Sequence, residues 1–124
     1  MIKLLVFIEF KKGIYIIIMK IEQKITNCEY IFYECDKIIE IEFIYFDTKN
    51  ITNMSKMFSY CSGLENLNLN NFDTKNVTNM NCMFYNYSGL KNLNLNTFDT
   101  KNVTNMIDMF YNCNFTIINP KLKK

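Results

Sequence analysis

The sequence has no histidine, arginine, tryptophan or alanine, and only one proline and three glycines among 124 residues. Each absence excludes something. Without histidine the chain cannot build a Ser-His-Asp or Cys-His pair, or a histidine-ligated zinc site. Without arginine it has no bidentate clamp for phosphate. An enzyme on this chain would work with Asp, Glu, Lys, Tyr, Cys, Ser and Thr alone, and these form no catalytic constellation in the sequence. The reading is therefore a non-enzyme, with no catalytic residue, no metal ligand set and no cofactor. Long apolar runs are also missing. Leu4 to Ile8 ends at Glu9, Ile14 to Met19 is short, and Lys11 and Lys12 lie between them. A membrane span needs about 20 apolar residues in succession, and a signal peptide needs a longer apolar core and a small-residue cleavage site. Neither a transmembrane segment nor a signal peptide is visible. Residues 1–19 read instead as a strand pair that reverses at Lys11-Lys12-Gly13 and caps one end of the domain.

What is present fits one domain. Hydrophobic residues make up 49% of the chain, enough for a modest core, and the net charge of +2 does not draw it to nucleic acid. Asn, Ile, Lys, Phe and Tyr are abundant, all residues of A/T-rich codons, so the number of asparagines or lysines alone carries no functional meaning.

The informative signal is self-similarity. Phe46-Asp47-Thr48-Lys49-Asn50 returns as Phe72-Asp73-Thr74-Lys75-Asn76 and as Phe98-Asp99-Thr100-Lys101-Asn102, an interval of 26. The same interval links Met57-Phe58, Met83-Phe84 and Met109-Phe110, and links Leu64, Leu67 and Leu69 to Leu90, Leu93 and Leu95. A weaker copy lies upstream, where Ile25, Phe32, Cys35, Ile38, Ile41 and Phe43 fall 26 residues before their counterparts. Residues 20–124 thus divide into coils 20–45, 46–71, 72–97 and 98–123. The last reads as decayed, with Thr116, Asn119 and Lys121 in place of three leucines.

One such copy cannot enclose its own apolar side chains, so copies must stack and share a core. Leu67-x-Leu69 alternates with Asn66, Asn68 and Asn70, which is strand periodicity, and stacked copies should lay these strands in one parallel sheet. Val77, Met80, Met83, Phe84 and Tyr87 follow the spacing of one helix face. Phe-Asp-Thr-Lys-Asn is turn chemistry, and Ser88-Gly89 closes the helix and re-enters the strand. The expected fold is a repeat solenoid with one short parallel-sheet strand and one short helix or helical turn per coil, and the N-terminal strand pair as a cap.

The string FDTKNVTNMNCMFYNYSGLKNLNLNTF resembles the BspA-like leucine-rich repeats, a surface protein family with repeats of about 26 residues. The likeness covers about residues 20 to 118. It implies a leucine-rich-repeat-like fold, a role in adhesion or protein binding, a cell-surface or extracellular location, and no catalytic residue. Tyr87 departs from the pattern, standing where Cys61 and Cys113 keep the usual Cys, and the missing export signal departs from the family's location.

Other features have bland readings beside sharper ones. Cys35, Cys61 and Cys113 share one repeat position, and an odd total of five cysteines cannot pair fully. A ladder of buried thiols is expected, with a Cys35–Cys61 bridge as the alternative. Asp47, Asp73 and Asp99 should stack beside Lys49, Lys75 and Lys101 and pair with them, rather than bind calcium. Phe46, Phe72, Phe98, Phe58, Phe84 and Phe110 read as buried ladders with Leu67, Leu93, Leu69 and Leu95, not as an aromatic binding platform. N-x-S/T sequons at Asn50, Asn53, Asn76, Asn86, Asn102 and Asn114 follow from an asparagine-rich repeat and matter only in a eukaryotic secretory setting.

The expected partner-binding face is the outward side of the strands: Glu65, Asn66, Asn68, Asn70, Lys91, Asn92, Asn94 and Asn96. Its bland reading is a solvated face of asparagines bonding one another along the stack. The expected function is a non-catalytic binding or adhesion scaffold for a protein or glycan partner. The alternative is an intracellular interaction scaffold, or a piece of a longer array. End-to-end self-association through the coil ends is a further partner mode.

Overall fold

The computed structural model describes residues 4–11, 14–21, 24–119 and 122. The isoleucine-rich N-terminal segment forms strands β1 (Leu4–Lys11) and β2 (Ile14–Ile21), antiparallel from Leu4 opposite Ile21 to Lys11 opposite Ile14. The reversal read at Lys12-Gly13 lies outside the described residues. Strand β3 (Ile38–Phe46) runs parallel to β2, and β4 (Asn66–Leu67) pairs parallel to β3. These four make one sheet in the order β1-β2-β3-β4, while β5 (Asn92–Asn94) and β6 (Thr116–Ile118) form a separate parallel pair.

The expected leucine-rich-repeat-like solenoid is therefore corrected. Among the described residues there is no helix, and the strands do not form one continuous sheet. Leu67 and Leu93, expected on neighbouring strands, lie on β4 and β5 in different sheets. The break falls at the copy where Tyr87 replaces Cys. There the Tyr87 hydroxyl donates to the Leu64 carbonyl at 2.8 Å.

The helix fails for a reason visible in the backbone. Residues 29–34, 55–60, 81–86 and 107–112 are runs of turns. Each contains two residues with positive φ, four apart: Tyr30 and Glu34, Lys56 and Tyr60, Cys82 and Asn86, Asp108 and Asn112. No α-helix accommodates that backbone. The N–H groups of Met54, Lys56, Phe58 and Tyr60 instead donate outward, to the carbonyls of Asn79, Asn81, Met83 and Tyr85 in the next copy, at 2.8–2.9 Å. Every second amide in this segment is thus satisfied between copies, and most of the others close short turns within a copy, as Met57 N–H to Met54 and Ser59 N–H to Lys56 do. The helix-like apolar spacing does report inward-facing side chains, since Val77, Met80, Met83, Phe84 and Tyr87 are all buried. It does not report the hydrogen-bonding pattern.

The 26-residue copies lie against one another in register. Asn27, Asn53, Asn79 and Asn105 form successive parallel bridges. Phe32, Phe58, Phe84 and Phe110 stack with nearly parallel rings, centroids 5.3, 5.7 and 5.7 Å apart. Phe72 and Phe98 are buried, and Phe46 is half-buried against Phe43. Leu69, Leu93 and Leu95 are buried, and Leu67 is half-buried. Gly63 and Gly89 mark close approaches between copies, because a Cβ there would overlap the carbonyls of Asp36 and Leu64.

The last copy also differs from expectation. Asn92, Leu93 and Asn94 pair with Thr116, Ile117 and Ile118, an offset of 24 rather than 26. The copy is two residues shorter between its cysteine and its strand. It is not decayed: Phe115 is buried, Ile117 packs on the core, and the Asn119 side chain donates to the Leu95 carbonyl at 2.6 Å. Pro120 and Lys121 lie outside the described residues.

Candidate functional site

The polar letters of the repeat are mostly consumed by the fold. Asp47, Asp73 and Asp99 each accept the backbone N–H two residues on, at 3.0–3.1 Å, and pair with their own Lys49, Lys75 and Lys101 at 3.2–3.7 Å. The Lys49 backbone N–H holds the Asp47 carboxyl below its ordinary range. Thr48 and Thr74 are buried and bridge to the next copy: Thr74 Oγ1 donates to the Asp99 carbonyl at 3.0 Å and accepts the Asp99 N–H at 2.8 Å. Asn76 and Asn102 donate to the Lys49 and Lys75 carbonyls at 2.6 Å. These two sequon amides are thus already engaged in holding copies together.

The five cysteines are free thiols. Cys61 Sγ donates to the Phe32 carbonyl at 3.0 Å, and Cys113 Sγ donates to that of Phe84 at 2.7 Å. The Cys35–Cys61 alternative is thus not a disulfide in this structure. Contact with Cys35, then burial, pushes the Cys61 thiol up, and burial pushes Cys28 up to about 12. Cys28 and Cys61 are thus structural thiols rather than nucleophiles, whereas contact with Cys61 holds the half-buried Cys35 below its ordinary value. Among the described residues, no three acidic or cysteine side chains converge to hold a metal ion.

All eight residues of the expected partner face are exposed: Glu65, Asn66, Asn68, Asn70, Lys91, Asn92, Asn94 and Asn96. The asparagines do not bond one another along the stack. Asn68 and Asn94 instead accept the N–H of Asn70 and Asn96 within their own copies, at 3.0 and 2.9 Å. Where β4 and β5 part, an open groove of about 860 Å³ forms. Glu65, Asn66, Asn68 and Asn92 line it, while Asn70, Lys91, Asn94 and Asn96 lie outside. Strand β3 adds Glu40, Glu42 and Tyr45, and Asp47 follows it. Among the described residues the groove has four carboxylates and no lysine. Tyr45 is 54% exposed. Sequence reasoning missed Glu40, Glu42 and Tyr45. The signal was present in the glutamates alternating with apolar residues in Ile38-Ile-Glu-Ile-Glu-Phe, which put both acids on one strand face.

A second surface was also missed. Tyr33, Tyr60, Tyr85 and Tyr111 form a column with centroids 5.6, 5.6 and 5.0 Å apart, and Tyr30 joins it at 5.3 Å from Tyr33. The Lys56 ammonium lies 4.9 Å above the Tyr30 ring and donates to its hydroxyl at 2.6 Å, a bond that raises the Lys56 pKa. The repeat position 33/59/85/111 reads Tyr, Ser, Tyr, Tyr, and Tyr60 fills the gap from the adjacent position.

Fold and surface together define a non-helical repeat protein with a groove along its strand side. The chain belongs to the family described as Mycoplasma protein of unknown function, DUF285, whose model matches residues 20–122. No curated protein and no solved structure matches the chain. Among the described residues, no helix is long and apolar enough to cross a membrane.

Proposed function

We propose that this chain is a non-catalytic binding scaffold of adhesion type, presenting its strand face to a protein or glycan partner. One observation carries the reading: the groove between β4 and β5 gathers Glu40, Glu42 and Glu65 beside the exposed Tyr45, while its fourth carboxylate, Asp47, is already paired with Lys49. Carboxylates of one sign in a concave wall focus a negative field, and an exposed tyrosine is a common anchor of interfaces. The arrangement suits a partner segment bearing lysine or arginine better than a neutral glycan. The resemblance to BspA-like repeats supports the same class of role at a cell surface.

The test is an NMR titration of the intact chain with a lysine-rich peptide at low salt, run beside a panel of neutral and acidic glycans. Shifts confined to Glu40, Glu42, Glu65, Asn66 and Asn92, weakened at least about tenfold in an E40Q/E42Q/E65Q variant, are expected. Absence of localised shifts with every ligand sinks the proposal.

A further inference from the structure

Strand β3 is paired along its length on one side only. Its register with β2 runs from Ile38 to Phe46, whereas its register with β4 stops at Glu40 and Ile41. Beyond Leu67 the second copy turns out of the sheet: Asn68 Oδ1 accepts the Asn70 N–H at 3.0 Å, and a turn follows at residues 70–71. Among the described residues, no strand therefore lies beside residues 42–46 on the β4 side. Sheets commonly blunt such an edge with lysine or proline. Residues 42–46 read Glu-Phe-Ile-Tyr-Phe and contain neither. The free edge opens onto the acidic groove, lined by Glu40, Glu42 and Glu65 and by the half-buried Phe43, Phe46 and Leu67. A bulge sorts these side chains. The register against β2 skips Ile44, so Phe43 and Phe46, three apart, stack on each other at 5.4 Å, and Tyr45 turns out to solvent.

We infer that an extended segment of a partner protein, with lysine or arginine alternating with apolar residues, adds as a strand to the free edge of β3. This rests on the acidic-groove reading above and gives it a binding mode. The alternation follows from strand geometry, because successive side chains point to opposite faces. A segment lying along β3 sends one set toward Glu40, Glu42 and Glu65 and the other toward Phe43, Phe46 and Leu67. The unpaired backbone groups of the edge hold any extended chain, and the carboxylates select the basic one. A second copy of this chain is a poor occupant, because pairing β3 with β3 would bring two sets of carboxylates into one groove.

The probes are end-blocked peptides titrated into the intact chain at low salt and followed by NMR. The first is Lys-Val-Lys-Val-Lys-Val-Lys. The second is its isomer Lys-Lys-Val-Val-Val-Lys-Lys, of equal charge and composition. The third is the first peptide with the backbone nitrogens of its three central residues methylated, which removes strand donors and keeps the charge. The alternating peptide should saturate with a dissociation constant below about 100 µM and slow amide exchange within residues 42–46. The isomer and the methylated peptide should bind at least about tenfold more weakly. Equal binding by either one overturns strand addition while leaving the acidic-groove reading intact, because charge alone would then suffice. Binding that leaves exchange at residues 42–46 unchanged overturns it in the same way. If none of the three shifts the groove residues, strand addition fails and a lysine-bearing partner fails with it.

Discussion

The Tyr87 hydroxyl donates to the Leu64 carbonyl 2.8 Å away, a bond between buried groups of adjacent copies. Cys61 and Cys113, at the same repeat position, reach the carbonyls of Phe32 and Phe84 instead. The larger side chain therefore changes its acceptor rather than losing one. Y87F leaves the Leu64 carbonyl unpaired and should cost about 1–3 kcal/mol in urea unfolding. Y87C restores the common repeat residue, yet should cost about 2–4 kcal/mol through the cavity it opens. Equal stability for Y87F and wild type would show that the bond contributes nothing.

Gly89 has no room for a methyl group, because its nearest neighbours are backbone atoms of Leu64, which cannot rotate away. G89A should destabilise by about 1–3 kcal/mol through forced separation of copies. G63A should behave alike, since a Cβ there meets the Asp36 carbonyl. Thermal melts of both variants beside S88A, at an exposed position, would check this.

Thr74 and Thr100 occupy the same repeat position with different surroundings. The first is buried and bonded twice to Asp99; the second is half-exposed. T74V should cost about 1–3 kcal/mol, and T100V under about 0.5 kcal/mol. If the two variants unfold at the same denaturant concentration, the buried hydroxyl bridge is not stabilising.

Buried acids that ionise with difficulty set the alkaline limit. Burial holds Cys28 at about 12 and pushes Tyr87 upward, while the unfolded groups titrate near 8.5 and 10. Above about pH 8.5 the unfolded chain loses protons that the folded chain keeps, so stability falls as pH rises. Urea midpoints from pH 7 to 10 should decline, and C28A should flatten the early part of that decline. At the acid end the sign reverses. The Asp47 pKa is depressed, so its contribution is present above about pH 4 and is lost as pH falls below that.

Much of the core was legible because a strict period leaves few choices. Residues such as Phe58 and Phe84, 26 apart in chemically identical surroundings, have to sit over one another, and they do. Backbone conformation was less legible. Apolar spacings of three and four are shared by a helix and by a chain of short turns, and only the left-handed residues Lys56, Tyr60, Cys82 and Asn86 separate them. None of those is glycine, and of the four only Asn86 is of a type enriched at positive φ, so the sequence marks them weakly. The groove was hidden because it exists by virtue of a missing pairing between Asn66-Leu67 and Asn92-Leu93, whose residues look fit to pair. The role of Asn76, Asn102, Thr48 and Thr74 in joining copies was likewise invisible, since surface and structural asparagines read alike.

The paired left-handed residues constrain how such a molecule can change length. Each pair must face its counterparts above and below, so a single inserted or deleted residue between positions 55 and 60 or 81 and 86 would throw a whole rung out of step. The stretch between the cysteine position and the following strand tolerates trimming, as the 24-residue offset into Thr116–Ile118 demonstrates. Relatives of this chain should therefore gain or lose material as entire 26-residue units, or as a few residues in that one connection, and almost nowhere else.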